Sequence, residues 1–315
     1  MKKILIVGSG DVALRAIPLL TRRYRVFALV RNPAYCARLR SISVEPILGD
    51  LDDRASLVRI AGIADAVLHF APPPSAPPLA LPLKRVPGGW GGQKGLGREQ
   101  GKLESPDTRT RNLLAALSRS TLPKRLVYIS TSGVYGDCGG AWVSETHPLN
   151  STSPRSRRRL DAEMQIRKWA KRNQVNASIL RVPGIYAADR LPLSRLQQGT
   201  PAIIDSEDSY TNHIHADDLA SISVVALRYG KPCRIYHTSD DSHLKMGEYL
   251  DGVADAFGLL RVPRISRAEA QHVLSEMLLS FMNESRRLTN QRMKRELKVK
   301  LRYPTVADML AEVKT

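Results

Sequence analysis

Acidic residues are scarce in this 315-residue chain: 30 Asp and Glu stand against 48 Lys and Arg, a formal surplus of +18. Such a surplus attracts polyanions and phosphorylated ligands at long range without choosing between them. Aromatic residues make up only 5%, and neither a stacking platform nor a recognition motif accompanies the charge. A nucleic-acid surface is therefore not the expected use. Much of the excess lies at Lys84 to Lys102, Arg155 to Arg172 and Arg286 to Arg302, where solvated helix faces can account for it. Cysteine is equally sparse. Cys36, Cys138 and Cys233 lie far apart with no C-x-x-C pair, which excludes a disulfide framework and points away from a metal site, so a reducing cytoplasm is expected. No stretch reaches the roughly 18 uninterrupted apolar residues of a membrane helix. The start MKKILIVGSG carries too short an apolar run for a signal peptide core, so a cytoplasmic protein without a membrane partner is expected.

What the chain does have is rhythm. Short β-rich apolar runs at Ile4 to Val7, Val26 to Val30, Glu45 to Leu48, Ala66 to Phe70, Leu126 to Ser130 and Ala177 to Arg181 alternate with helical patterns. Those patterns are Val12 to Thr21, Ala55 to Ala61, Thr108 to Ser118 and Arg157 to Lys171. The alternation predicts βαβ units and an α/β fold, a doubly wound parallel sheet of Rossmann type. A Pro/Gly-rich, basic stretch over 72–106 breaks the rhythm and reads as an inserted loop. Beyond Pro183 the pattern turns irregular, resumes with a helix at Asp217 to Leu227 and a strand at Arg234 to Thr238, and ends in helices. The expected division is a dinucleotide-binding domain over 1–182 with 213–238, and a smaller carboxy-terminal α/β lobe over 183–212 with 239–315.

Gly8-Ser9-Gly10-Asp11-Val12-Ala13 follows the first strand and opens a helix, a G-x-G-x-x-A turn. Glycine permits the tight turn and the close approach of a pyrophosphate, whose charge then sits at the helix amino terminus. The cofactor expected is NAD or NADP. A site specific for NAD would place Asp or Glu after the second strand to accept from the ribose hydroxyl; here the chain reads Val30-Arg31-Asn32. Arg31 cannot accept but can bind a 2′-phosphate, which favours NADP. Asp50, followed by Leu51 after the third strand, is placed to meet the adenine edge or to cap the next helix.

The strand ending in LVYISTSGVYGD (Leu126 to Asp137), with Asp65-Ala-Val-Leu-His-Phe-Ala71, Ser144-Glu-Thr-His-Pro148, Arg181-Val-Pro-Gly-Ile-Tyr186 and His213-Ile-His-Ala-Asp-Asp-Leu219, resembles the NAD-dependent epimerase/dehydratase family of extended short-chain dehydrogenases. The resemblance spans nearly the whole chain. It implies that Thr131 or Ser132 hydrogen-bonds the reacting oxygen, and that Phe70, Ala71 and Pro183 lie beside the cofactor. It further implies a substrate lobe built from the segment Gly184 to Ile203 and the residues around Tyr210, Asn212 and His213. Tyr186 would line that lobe, with Arg190 and Arg195 as anion anchors for a small, phosphorylated or nucleotide-linked substrate. The basic run Ser285 to Leu297 resembles the family's closing helix, and a homodimer through the Arg157 to Lys171 helix would follow by resemblance.

The family's Tyr-x-x-x-Lys is missing. Its usual Ser-Pro-Tyr, then Ser-Lys and a Glu four residues after the lysine, align without gaps on Ser153-Pro154-Arg155-Ser156-Arg157-Arg158-Arg159 and Glu163. Arg155 takes the tyrosine position and Arg159 the lysine position. A guanidinium stays charged at neutral pH and cannot shuttle a proton as a phenol does. Arg159 can still donate to ribose or phosphate, or pair with Glu163 one turn on. A replacement acid/base would come from His147, His213, His215, Tyr135 or Tyr186. Two readings follow: an NAD(P)-dependent oxidoreductase or epimerase-like enzyme with an atypical site, or a non-catalytic NAD(P)-binding redox sensor or scaffold.

Overall fold

β1 (Lys3–Val7) is buried from Ile4 onward on both faces, the pattern of an interior strand in a parallel sheet rather than the alternation of a half-solvated one. β2 (Arg25–Val30) repeats that pattern, while β3 (Val44–Leu48) is more open, as an edge strand allows. In the computed structural model, which describes residues 1–74 and 106–313, β4 (Ala66–His69), β5 (Arg125–Thr131), β6 (Asn176–Val182) and β7 (Arg234–His237) complete a seven-stranded sheet. The spatial order is β7-β6-β5-β4-β1-β2-β3 and every pairing is parallel. The expected insertion over 72–106 lies almost wholly outside the described residues.

Helices cover both faces. α1 (Asp11–Thr21) and α5 (Ala216–Tyr229) pack on one, and α3 (Thr108–Leu117) and α4 (Pro154–Asn173) on the other. A shorter helix, α2 (Tyr35–Ser41), bridges β2 and β3. Asp107 caps α3 by accepting from the Thr110 amide, and Ser153 caps α4 ahead of a proline in its first turn, the residue types that satisfy a helix start best. α4 therefore begins at Pro154, ahead of the Arg157 expected from periodicity, and Arg155 belongs to its first turn. The segment Ala55–Ile60 is a 3-10 helix; six residues between two sheet strands complete barely two tight turns.

The chain reverses its direction of sheet growth between β1 and β4, so the carboxyl ends of these neighbours open a crevice at the topological switch point. A second apolar core, built from Tyr186, Leu196, Ala202, Leu250, Val253, Met309 and Leu310, lies within the carboxy-terminal part. Two short parallel ladders join that part to the rest, Gly184–Tyr186 with His213–His215 and Trp142–Val143 with Arg287–Leu288, while a third, Ala202–Ile203 with Arg264–Ile265, lies within it. The pairing of Arg287–Leu288 corrects one expectation. Ser285 to Leu297 is not one helix: Arg287–Leu288 is a strand and the helix starts only at Gln291. Among the described residues no helix is long and apolar enough to cross a membrane.

Candidate functional site

Two clefts open along the carboxyl edge of the sheet. The first, about 390 Å³, is lined by Gly8 and Gly10 of the turn, Arg31 and Asn32 after β2, Asp50 and Leu51 after β3, and Ala71 after β4. Those seven cofactor candidates are thus brought together. Gly8 has φ +93°, and a Cβ there would stand 2.5 Å from the Ala71 backbone nitrogen. The turn and the end of β4 are in contact only because no side chain intervenes. At Gly10 a Cβ would meet nothing within 4 Å, so its backbone faces the open cleft. Gly10 also N-caps α1 without any side-chain cap, which leaves the helix's first amides for an anion. These features fit the diphosphate of a dinucleotide. Substituting Gly8 with Ala should lower stability by about 1–3 kcal/mol, the cost of such a strained backbone, and weaken NADPH binding at least about tenfold. A thermal melt and a fluorescence titration of NADPH read the two effects, and unchanged binding would remove the turn from the cofactor site.

Asn32 spends its side-chain oxygen on the Ala34 amide, and no carboxylate stands at the end of β2. Asp50 does not cap the following helix; its Oδ1 accepts from the Asp52 amide, while Asp53 accepts from Ala55. Val12, Ala13 and Phe70 turn away from the cleft: Ala13 is buried, and Val12 and Phe70 pack against the same core. Asp11 is bound by Arg15 and Arg190, each at 2.9 Å. Partial burial works to raise its pKa, but these two hydrogen bonds outweigh that and hold the carboxyl below its usual range. Arg109 also lines the cleft, held at 2.6 Å by Asp52 and donating to the Pro72 carbonyl. Its partner is 57 residues away in sequence, so no local pattern announced it.

The second cleft, about 460 Å³, lies over the end of β5 and gathers Thr131, Ser132, Arg155, Arg159, Pro183, Tyr186, Tyr210 and His213. Pro183 thus belongs here rather than to the dinucleotide cleft. Thr131 Oγ1 accepts from the Gly133 amide and caps the short turn of Ser132–Tyr135. Arg159 does not pair with Glu163. It donates to the Ile129 carbonyl at 2.6 Å and to the Tyr128 hydroxyl at 3.3 Å. Glu163 is instead buried against Arg181, at 2.7 Å, and accepts from Ser130 at 2.5 Å. Arg155 lies 4.2 Å over the Phe281 ring. Arg190 and Arg195 do not reach this cleft. Arg190 is tied to Asp11 at the start of α1, and Arg195, half-buried, donates to the Pro201 carbonyl at 2.9 Å.

Of the candidate acid/base groups, Tyr135 accepts from Arg181 at 2.7 Å and lies 2.6 Å from His237 Nε2; burial pushes its phenol up to about 12. His215 accepts from the Asp217 amide and caps α5. His147 packs edge-on against Tyr135. His213 and Tyr186 do line the cleft, but burial drives His213 down to about 4 and Tyr186 upward. Sequence reasoning missed Glu284 and Arg286, which enter the cleft beside Gly133 from the segment before the Arg287–Leu288 strand. Arg286 was hidden in the run that reads as helix, and Glu284 stands just before it.

A doubly wound parallel sheet with a glycine turn at its switch point defines a dinucleotide-binding protein of Rossmann type. The chain belongs to the NAD(P)H-binding family, whose model matches residues 8–228. It is 25% identical over 196 residues to a dTDP-glucose 4,6-dehydratase of Mycolicibacterium smegmatis, a match covering 59% of this chain and 54% of that protein. The chain thus spans about half the length of that relative. A conserved protein of unknown function from Silicibacter pomeroyi superposes with a TM-score of 0.75 at 26% identity, over 100% of this chain and 98% of that one. A human epimerase family protein solved with NADPH gives 0.69 at 17% identity, over 99% of each chain; at that identity the likeness is one of fold. The resemblance to NAD-dependent epimerase/dehydratases holds.

Proposed function

We propose that the chain is a cytoplasmic, NADP-dependent oxidoreductase or epimerase-like enzyme, acting on a small or nucleotide-linked substrate held in the second cleft. The observation that carries the reading is adjacency: Ala71, in the dinucleotide cleft, follows β4, and Thr131, in the second, ends the paired strand β5. A nicotinamide there would exchange a hydride with the substrate. The chain's part is to orient the reacting oxygen, for which a hydroxyl at Thr131 or Ser132 is a neutral donor. Arg155 and Arg159 can donate to an oxyanion but take no proton from it. NADP is favoured because Arg31 lines the dinucleotide cleft where an acid would be needed to hold a free ribose. Replacing Arg31 with Glu should cost about tenfold or more in NADPH affinity, the loss of a charge-assisted phosphate contact. NADH should gain relative to it in the same fluorescence titration. Equal affinities before and after would sink the NADP preference.

One observation favours a second reading. Arg159, in the lysine position, is committed to the Ile129 carbonyl and the Tyr128 hydroxyl, and neither phenol nor ammonium occupies the two reaction positions. A sensor that binds NADPH and releases it unchanged would have that pattern. Incubating the purified chain with NADPH against a panel of carbonyl compounds and sugar nucleotides separates the two. Oxidation with any member supports the enzyme; retained binding without turnover across the panel supports the sensor.

A further inference from the structure

The second cleft is unbalanced in charge. Its lining includes three guanidinium groups, Arg155, Arg159 and Arg286, and one carboxylate, Glu284, leaving a surplus of two positive charges. Glu284 cannot neutralise them all, because its Oε2 is taken by Arg286 Nη1 at 2.9 Å. Arg159 is satisfied by neutral acceptors, and Arg155 rests on the Phe281 ring, so neither has a hydrogen-bonded counter-ion. Burial of Arg155, with Arg159 and Arg286 as like-charged neighbours, disfavours its charged form, opposed by the attraction of Glu284. Buried polar atoms also go unused. Arg286 is 8% exposed and His213 4%, yet Arg286 Nε and His213 Nδ1 have no hydrogen-bond partner. A buried charged donor without a partner costs stability that a ligand can return.

We propose that this cleft binds a small, doubly negative ligand through Arg155 and Arg286 at the head of α4, with its body against the apolar wall of Phe281 and Leu278. The inference rests on reading the second cleft as the substrate site, but it puts an anion subsite where the family keeps its acid/base pair. A dianion supplies the two charges the cleft lacks and acceptors for Arg155 and the idle Arg286 Nε, and guanidinium groups suit both phosphate and carboxylate geometry. Phosphate monoesters and dicarboxylates share this chemistry.

The test is calorimetric titration of the full chain at low salt, saturated with NADPH so that the dinucleotide cleft is filled. The probes are glycerol 3-phosphate, succinate and, as a single-charge control, lactate. At least one dianion should bind about tenfold or more tightly than lactate; which one binds assigns the phosphate or the dicarboxylate class. Arg155→Gln should weaken that dianion about tenfold while NADPH affinity stays unchanged, which also certifies the fold. Glu284→Gln, which removes the one opposing charge, should tighten it several-fold. Lactate binding as well as the dianions, or affinities untouched by both variants, overturns the proposal. Should NADPH itself fail to bind, the same titrations on the free chain still decide the anion subsite, so the two readings fail separately.

Discussion

Glu163→Ala is expected to remove about 3–5 kcal/mol of folding stability, the usual cost of stranding a buried charge. Glu163 and Arg181 have side chains only 2% exposed. The carboxylate takes both Arg181 Nε, at 3.1 Å, and Nη2, at 2.7 Å, as well as the Ser130 hydroxyl. Without it, the guanidinium keeps only the Tyr135 hydroxyl, in a site closed to water. Removing both charges should be far milder. A Glu163→Met, Arg181→Met double variant leaves no orphan ion in the core and should recover most of the loss. Chemical denaturation measures both, and a single-variant cost under about 1 kcal/mol would mean that water reaches Arg181 and the site is not sealed. The effect should reach function selectively. Arg155, Arg159 and Glu163 recur every four residues along one side of α4, so Glu163 fixes how that helix presents its arginines. The single variant should therefore disturb ligand binding in the second cleft more than NADPH binding in the first.

That pair also shows where the sequence stopped being readable. The spacing of Arg159 and Glu163 is that of a helix-surface ion pair, and nothing local says that the carboxylate faces inward. Arg181 and Ser130, which claim it, lie on β6 and β5, and burial in the sheet settles the competition. The strands were legible because a parallel sheet buries both faces and leaves continuous apolar runs. The glycine turn was legible because its chemistry is contiguous, and the pairing of Gly8 with Ala71 gave that turn its geometric reason. The structure places Arg190 and Arg195 away from the second cleft; an arginine near a substrate lobe looks free until its acceptor is known. For Arg190 that acceptor, Asp11, is 179 residues away. Arg286, with Glu284 just before it, was concealed for the converse reason: the run from Ser285 has helical composition, but pairing of Arg287–Leu288 with Trp142–Val143 pulls it into a strand and brings both residues to the cleft.

Acid should unfold the chain well before its carboxylates reach their ordinary range, because three histidines are buried in neutral form. Burial lowers His69 to about 3, His213 to about 4 and His237 to about 3, against an ordinary 6.5. His69 is backed by Thr110, His213 is stacked on Tyr249, and His237 is held between Tyr135 and the Thr289 carbonyl. Between pH 4 and 6.5 the unfolded chain therefore binds three protons that the folded chain refuses, so stability rises with pH across that window and falls as acid is added. Asp240 works in the opposite sense. Burial lifts it from 3.8 to about 7, so the folded chain keeps a proton that the unfolded one has released, cancelling one of the three. For these four groups the net is two protons, about 2–3 kcal/mol of stability per pH unit; His215, also lowered by burial, adds to that slope, and Asp107, Asp208 and Asp218, raised by burial, subtract from it. The urea midpoint should thus drop steeply between pH 6.5 and 4.5 and change far less between 7 and 8, where the three histidines are neutral in both states and only Asp240 still sheds the rest of its proton. His237→Gln should flatten the acid slope by about 1.4 kcal/mol per pH unit, since it removes one of the refused protons. A midpoint that holds constant down to pH 5 would show that these rings take up protons in place, and the sealed core drawn around them would be wrong.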